Sequence, residues 1–273
     1  MDAQITEDDR PVTDLTASDF SVTDNGQPQQ IIYFGRQRDP LALVLLLDVS
    51  GSMRPYLQQM AATAQDALAH LLPGDKVAIV VFGREPAVHT EFTDNLAEAG
   101  REIATAVENR KVGATTNINA AVLFSAQYLA TKADPSWRRS ILMLTDNLGL
   151  NYKLPDTEVE GNLLAFDVVF NAIVIGRGIR PGPPKPGTDP NFTPADVFKF
   201  AEWTGGDAMR VNELIPFAEM ISKIRDRYTM EYRAPDAKAL EFRNIGLKLT
   251  DSARARHPRA EVHTRSGYFA AGS

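Results

Sequence analysis

The sequence LALVLLLDVSGSM at residues 41–53 joins an uninterrupted apolar run to a short polar segment. The apolar run, 41–47, does not alternate with polar residues, so it predicts a strand that is covered on both faces, as in a parallel sheet between helices. Such a strand should lie in the centre of its sheet. The polar segment begins where the strand ends, and it places Asp48, Ser50 and Ser52 at alternate positions of a turn.

The remainder of the central region predicts a doubly wound α/β fold, in which helices flank a mostly parallel sheet. Apolar residues at three- and four-residue intervals indicate an amphipathic helix over 54–72, which Pro73 and Gly74 end. Strands and helices then alternate, as they do in right-handed βαβ crossovers. We predict further strands at 76–83, 139–147 and 170–176, and further helices at 94–109, 118–131, 194–203 and 213–227.

Both ends of the chain have the character of β-strands. Within 18–35, Asn25 and Gly26 favour the positive φ angles of a tight hairpin, so two strands are predicted there. The helical spacing is lost towards the C-terminus, where strands are predicted at 228–235, 242–250 and 260–269. We therefore expect a small β domain made from both terminal segments. The predicted boundaries are 1–38 for the N-terminal β segment, 39–227 for the α/β domain and 228–273 for the C-terminal β segment.

Composition limits the classes of partner and of chemistry. The chain of 273 residues has a net charge of −6 and no run of basic residues, which argues against nucleic acid as a partner. It contains no cysteine, so thiol nucleophiles, disulfides and cysteine-ligated zinc are excluded. No apolar run approaches the roughly 18 to 20 residues that cross a bilayer, and we expect no membrane insertion. The proline- and glycine-rich segment at 176–194 predicts a surface loop.

Two more loops at the same predicted sheet edge carry oxygen-bearing side chains. Thr115 and Thr116 precede the helix predicted at 118–131, and Asp146 lies near the end of the strand predicted at 139–147. Ligands of an open α/β sheet bind beyond the carboxyl ends of its strands, so we expect these groups to converge with the first loop. Oxygen ligands without histidine or cysteine favour a hard cation, and the small number of carboxylates favours Mg²⁺ over Zn²⁺.

This pattern resembles the von Willebrand factor type A domain, which also occurs as the inserted domain of integrins, with its metal ion-dependent adhesion site (MIDAS). That site combines an Asp-x-Ser-x-Ser loop, a threonine before an asparagine in a second loop, and an aspartate in a third. The resemblance covers residues 41–227 and implies a set of five metal ligands. They are Asp48, Ser50, Ser52, Thr116 and Asp146.

Two positions depart from the family pattern. Asn147 stands where many relatives have glycine, and ATTN at 114–117 replaces the commoner GGTN, which makes Thr115 a rival to Thr116. The segments outside the α/β region resemble a narrower bacterial family of VWFA-related proteins, seen often in Acidobacteria. This second resemblance rests on DLTASDFSVTDNGQPQQIIYF at 14–34, on IRDRYTMEYRAP at 224–235 and on RSGYF at 265–269.

The resemblance implies a metal-dependent protein-binding module without catalytic residues. A bound Mg²⁺, with Mn²⁺ or Ca²⁺ also compatible, would accept an acidic side chain of a protein partner at an open coordination position. A location outside the cell or in the cell envelope is implied in the same way, although the first residues lack the basic and apolar regions of a signal peptide. By analogy with integrin-like relatives, the helix predicted at 213–227 could take part in a change of affinity.

Three alternatives remain at this point. Asp48, Ser50 and Ser52 could simply cap the helix that follows, as Asn117 is expected to cap the next one. A metal-dependent phosphohydrolase is the second alternative, because hard cations also serve phosphoryl transfer, but Ser50 replaces the second carboxylate of a phosphoaspartyl enzyme. Serine nucleophile chemistry would need a Gly-x-Ser-x-Gly elbow, which the sequence around Ser50 lacks. We therefore expect no enzyme activity. A metal that only ties the loops together is the third alternative.

Overall fold

The computed structural model describes residues 1–8, 10–36, 39–106, 108–109, 112–113, 115–176, 178–183, 185–212 and 216–271. The strands are β1 (Asp2–Glu7), β2 (Arg10–Pro11), β3 (Phe20–Asp24), β4 (Gln27–Gln29), β5 (Ile31–Arg36), β6 (Leu41–Asp48), β7 (Lys76–Phe82), β8 (Pro86–Thr93), β9 (Arg138–Thr145), β10 (Val168–Ile175), β11 (Ala208–Val211), β12 (Tyr228–Tyr232), β13 (Phe242–Leu249), β14 (Glu261–Thr264) and β15 (Gly267–Phe269). The α-helices are α1 (Arg54–Leu68), α2 (Leu96–Ala106), α3 (Ile118–Lys132), α4 (Asp156–Ala165), α5 (Val197–Thr204), α6 (Phe217–Arg225) and α7 (Asp251–Arg256).

The central sheet has the strand order β11-β10-β9-β6-β7-β8 in the described part of the chain. Its neighbouring strands are parallel, except that β8 runs antiparallel to β7 at one edge. Strand β6 lies between β9 and β7, and all of its residues are buried. The prediction of a central strand that is covered on both faces is therefore confirmed.

Helices cover both faces of this sheet. On one face, α1, α2 and α6 pack against alternate residues of β6, including Leu43 and Leu45. On the other face, α3, α4 and α5 share one core cluster with Val44 and Leu46. Because side chains alternate between the two faces of a strand, the apolar run supplies both layers of the core at once. The predicted doubly wound α/β architecture is confirmed.

Several elements of the α/β region differ from the prediction. Strand β8 is half-buried at the sheet edge and mixes polar with apolar residues, so it lacks the apolar run that marks β6. Strand β11 has four residues, and α4 separates apolar from polar residues only weakly. The helix predicted at 213–227 corresponds to α6, while 213–215 lie outside the described residues. The segments 178–183 and 185–189 form no helix or strand, as predicted for a surface loop.

Strands from both ends of the chain form two antiparallel sheets. One has the order β14-β1-β12-β5, with β2 beside β1, and the other has the order β15-β13-β3-β4. The turn between β3 and β4 contains Asn25 and Gly26 with φ angles of 45° and 80°, as predicted. Strand β5 leaves this hairpin for the other sheet, where it pairs with β12. The prediction that the two termini combine as β structure is confirmed, whereas β1, β2 and α7 were not predicted.

Ion pairs attach the terminal sheets to the α/β region. Arg138 at the start of β9 donates through Nε to Asp2 Oδ2 at 2.6 Å and through Nη2 to the carbonyl of Ile224 at 3.0 Å. Burial alone would raise the pKa of Asp2, but Arg138 and Arg227 outweigh burial and lower that pKa to about 2. Asp2 is therefore a charged contact between β1 and the start of β9, and Arg138 extends this contact to the end of α6. Within the residues that the structure describes, none of the helices is long and apolar enough to cross a bilayer.

Candidate metal centre

Asp48 is the fully buried last residue of β6, and both of its carboxylate oxygens accept hydrogen bonds. The backbone N–H of Ser50 donates to Oδ1 at 3.0 Å, and the hydroxyl of Thr145 donates to Oδ2 at 2.9 Å. Burial is the main cause that raises the pKa of Asp48 to about 6, and the negative charge of Asp146 acts in the same direction. A cation beside Asp48 and Asp146 would stabilise the charged form of Asp48 and offset the repulsion between the two carboxylates.

Ser50, Ser52 and Asp146 continue this cluster towards the surface. The hydroxyl oxygens of Ser50 and Ser52 lie 3.2 Å apart, and Ser52 donates its hydroxyl hydrogen to Asp146 Oδ2 at 2.6 Å. Asp146 Oδ1 accepts the backbone N–H of Leu148 at 3.2 Å. Ser52 is exposed, whereas Ser50 and Asp146 are buried. Four of the five predicted ligands therefore lie in one hydrogen-bonded group at the carboxyl edge of the sheet.

Thr116 lies on the loop before α3 and is half-buried. Within the described residues, no hydrogen bond joins its side chain to the other four predicted ligands. Its main chain does approach the third loop, because a Cβ added to Gly149 would lie 2.8 Å from the carbonyl oxygen of Thr116. Thr115 lines a cavity of about 160 Å³ together with Arg84, Asn117 and Tyr152.

Asn147 adopts a left-handed backbone conformation with φ 54°. Asparagine tolerates this region better than most residues other than glycine, so the third loop keeps the conformation that glycine would favour at this position. The side chain of Asn147 also donates through Nδ2 to the carbonyl of Ile179 at 3.2 Å. This departure from the family pattern therefore links the third loop to the segment 178–183.

Thr145 is a contributor that the sequence analysis missed. Its buried hydroxyl donates to Asp48 Oδ2 and accepts the backbone N–H of Asn147 at 3.0 Å. The residue stands in the sequence LTDN beside Asp146, but a threonine at the end of an apolar strand also fits the β-propensity of its strand. The pattern alone therefore carried no signal that separates the two roles.

The hydrogen bonds weigh against a purely capping role for the first loop. In the described part of the chain, the side chains of Ser50 and Ser52 bond to each other and to Asp146, not to N–H groups at the start of α1. Asn117 does cap α3, since its side chain accepts the N–H of Ala120 at 3.4 Å. No group of three or more His, Cys, Asp or Glu side chains among the described residues could hold a metal. The candidate site is of a different kind, with two carboxylates and several hydroxyls.

Comparison with known proteins finds one matching family model and several structures of similar fold. Residues 43–149 match the family model described as von Willebrand factor type A domain. The conserved hypothetical protein BatB from Bacteroides thetaiotaomicron is 17% identical with a TM-score of 0.50, over 68% of this chain and 96% of that chain. A von Willebrand factor type A protein from Catenulispora acidiphila is 16% identical with a TM-score of 0.50, over 82% of this chain and 48% of that one.

A third similar structure is proximal thread matrix protein 1 from the mussel byssus, with a zinc-occupied MIDAS motif. It is 16% identical with a TM-score of 0.51, over 70% of this chain and 48% of that one. At such identities the likeness concerns the fold. No curated protein matches the sequence. Residues 43–149 thus match the von Willebrand factor type A domain model, and the doubly wound sheet has the fold of these similar structures.

Proposed function

We propose that this chain is a protein-binding module that holds a divalent cation and uses it to bind an acidic side chain of a partner protein. The observation that supports this function best is the pairing of Asp48 and Asp146 in one group with serine hydroxyls. Among the described residues, no basic side chain forms an ion pair with either carboxylate. Domains of this family are typically protein-interaction modules, often metal-dependent.

The residues that would hold the ion all offer oxygen. Oxygen donors suit hard cations, and Mg²⁺ in particular keeps open positions for water or an external ligand. When bound, the ion supplies positive charge and a coordination position for the carboxylate of the partner. Mn²⁺ and Ca²⁺ are compatible with the same donors, and the mussel protein holds zinc in its MIDAS motif. The proposed ligands are Asp48, Ser50, Ser52, Thr116 and Asp146.

The proposal includes no catalytic step. The described hydrogen bonds of Asp48 and Asp146 connect them to hydroxyls and backbone N–H groups, and no histidine or lysine joins this group as a general base. A phosphohydrolase would need such a base, or a second carboxylate where Ser50 stands. Turnover of a phosphate ester in Mg²⁺ or Mn²⁺ that disappears in Asp48→Ala would overturn this part of the proposal.

The test of the site is calorimetric titration of the intact chain with MgCl₂, MnCl₂ and CaCl₂. We expect binding of at least one ion, and its loss in Asp48→Asn and Asp146→Asn. The matched control is Asp251→Asn, which removes one exposed carboxylate from α7. Absence of uptake of all three ions at millimolar concentration in the unchanged chain would overturn the proposal.

Partner binding needs a second test, because a metal could merely tie the loops together. Proteins from the envelope and culture medium of the source organism would be passed over the immobilised chain with Mg²⁺ and again with EDTA. We expect a protein that is retained with Mg²⁺ only, and that Asp48→Asn no longer retains. Metal uptake without any Mg²⁺-dependent retention would favour the structural role instead. A location in the envelope or outside the cell is part of the proposal.

We also propose that 1–38 and 228–273 form one β unit into which 39–227 is inserted. Strand β1 pairs with β12 and with β14, and β3 pairs with β13, so each terminal sheet contains strands from both segments. Limited proteolysis would test the division. We expect β1, β12 and β14 to resist cleavage to the same extent, whereas early cuts within β1 or β12 would contradict these boundaries.

A further inference from the structure

Large apolar side chains are exposed on the loops beside the candidate metal site. Isolated exposed apolar residues are normal, but a contiguous group marks an interaction surface. Leu148 and Ile179 are the most exposed of this group, with 65% and 61% of their surface accessible. The group, which we term the apolar rim, consists of Leu148, Leu150, Tyr152, Ile179 and Phe192.

Leu148 and Ile179 both lie directly beside Asp146. The backbone N–H of Leu148 donates to Asp146 Oδ1 at 3.2 Å. The residue before Ile179 is Gly178, where an added Cβ would come within 2.4 Å of the carbonyl oxygen of Asp146. Asn147 holds the two segments together through its bond to the carbonyl of Ile179. The main chain at Leu148, and at Gly178 next to Ile179, therefore contacts Asp146, a proposed metal ligand.

Tyr152 and Phe192, also members of the rim, are held together by contacts of their own. Tyr152 packs against Phe192 edge to face, with ring centroids 6.5 Å apart. Tyr152 and Lys153 have φ angles of 44° and 70°, a costly conformation for such residues and one that often occurs at functional sites. The N–H of Lys153 donates to the carbonyl of Asn191 at 2.7 Å, which holds this loop against the segment of Phe192.

Positive charge accompanies the apolar surface. Arg84, which is exposed at the end of β7, lines the cavity of about 160 Å³ together with Thr115, Asn117 and Tyr152. With a bound cation, the edge would present an open coordination position and the guanidinium of Arg84, with apolar side chains between them. The complementary ligand carries negative charge and large apolar side chains close together.

We infer that the apolar rim binds an extended segment of another protein in which large apolar side chains flank the acidic residue that reaches the metal. This inference rests on the proposed function and adds to it the chemistry of the partner. The acidic residue supplies the metal ligand, and its apolar neighbours cover Leu148 and Ile179. Burial of these side chains supplies affinity, while the metal supplies orientation.

The probe is a displayed library of peptides with one fixed glutamate and random residues on both sides, selected on the intact chain in Mg²⁺. We expect Leu, Ile, Phe and Trp to be enriched within two positions of the glutamate, in peptides that EDTA releases. Peptides with unbiased or polar flanks would overturn the inference. So would the selection of no Mg²⁺-dependent peptide by a chain that calorimetry shows to bind Mg²⁺.

Variants then test the surface itself. The double variant Leu148→Ser with Ile179→Ser should bind the selected peptide about tenfold more weakly and take up Mg²⁺ as before. Ile32→Ser is the matched control, because Ile32 is 63% exposed on β5, in a terminal sheet. Equal peptide affinity of the double variant and the control would overturn the inference.

Two further outcomes separate the possible failures. If the unchanged chain takes up no metal, the proposed function fails, and the partner inferred from it fails as well. If Mg²⁺ produces a dimer in light scattering that the double variant cannot form, the rim binds a second copy of this chain. That result would overturn the assignment to another protein and leave the metal site intact.

Discussion

The hydroxyl of Thr145 donates to Oδ2 of Asp48 at 2.9 Å and thereby ties the end of β9 to the end of β6. Since the N–H of Ser50 occupies Oδ1, both oxygens of this buried carboxylate are oriented by the protein. Asp48 is therefore held in place by two neighbours whose positions depend on the adjacent strand and on the first loop. Such outer contacts commonly set the affinity of a metal site.

Thr145→Val should weaken Mg²⁺ binding about tenfold, as substitutions behind metal ligands commonly do. It should also lower the free energy of unfolding by about 1 to 3 kcal/mol, because a buried oxygen of Asp48 loses its donor. Calorimetry and urea unfolding measure the two effects. Thr145→Ser keeps the hydroxyl and should resemble the unchanged chain. Unaltered Mg²⁺ affinity in Thr145→Val would show that this hydrogen bond does not orient Asp48.

Substitutions of the two adjacent threonines should differ in their effects. Thr116→Val should weaken Mg²⁺ binding by about tenfold, or about 1.4 kcal/mol, because it removes one oxygen donor without changing the shape of the side chain. Thr115→Val is the matched control, since Thr115 is exposed and lines the cavity beside Arg84. The reverse order of the two affinities in calorimetry would assign the fifth ligand to Thr115.

Replacement of Asn147 should separate its backbone conformation from its side-chain contact. Asn147→Val forces a β-branched residue to a φ of 54° and should lower the free energy of unfolding by about 1 to 2 kcal/mol. Asn147→Gly relieves the backbone but removes the bond to Ile179, so it should bind Mg²⁺ normally and the selected peptide more weakly. Equal stability of the two variants in urea would contradict the role of the left-handed conformation.

Acid should weaken the attachment of the N-terminal strand through Asp2. The pKa of Asp2 is lowered from 3.8 to about 2 in the folded chain, so its charged form is the one that stabilises the fold. This contribution is complete above pH 4 and is lost as the pH falls towards 2. Asp2→Asn should therefore be less stable than the unchanged chain at pH 7, and the difference should shrink at pH 2.

Thermal unfolding between pH 2 and pH 7 measures the effect of Asp2. Asp251→Asn serves as the control, because Asp251 is an exposed residue of the first turn of α7. A constant difference in melting temperature between Asp2→Asn and the unchanged chain at every pH would show that the charge of Asp2 is not involved.

The elements predicted correctly were those whose buried residues form a periodic or continuous apolar pattern in the sequence. Strand β6 is buried on both faces, and its apolar run indicated this burial directly. Strand β8 has polar residues on a half-buried edge, and α4 lacks a clear apolar stripe, so local pattern could not distinguish them from loops. Their structure depends on packing against elements that are distant in the sequence.

In the region of the candidate site, too, some residues could be predicted from the sequence and others could not. Asp48 and Asp146 stand at strand ends, where the topology of an α/β sheet indicates convergence, and they could be proposed from the sequence. The apolar rim could not, because it depends on contacts between segments that are far apart, such as Tyr152 with Phe192. Neither the positive φ angle of Asn147 nor its hydrogen bond to the carbonyl of Ile179 could be predicted from the sequence.

The position of β1 between β12 and β14 has a consequence for biosynthesis. On the ribosome, β1 emerges before the α/β region, yet both of its partner strands are translated after that region. Strand β1 therefore remains without these two partners while the intervening α/β region is synthesised. That region can already fold cotranslationally during this time. Completion of the terminal sheets is consequently a late event that requires β12 and β14 to have left the exit tunnel.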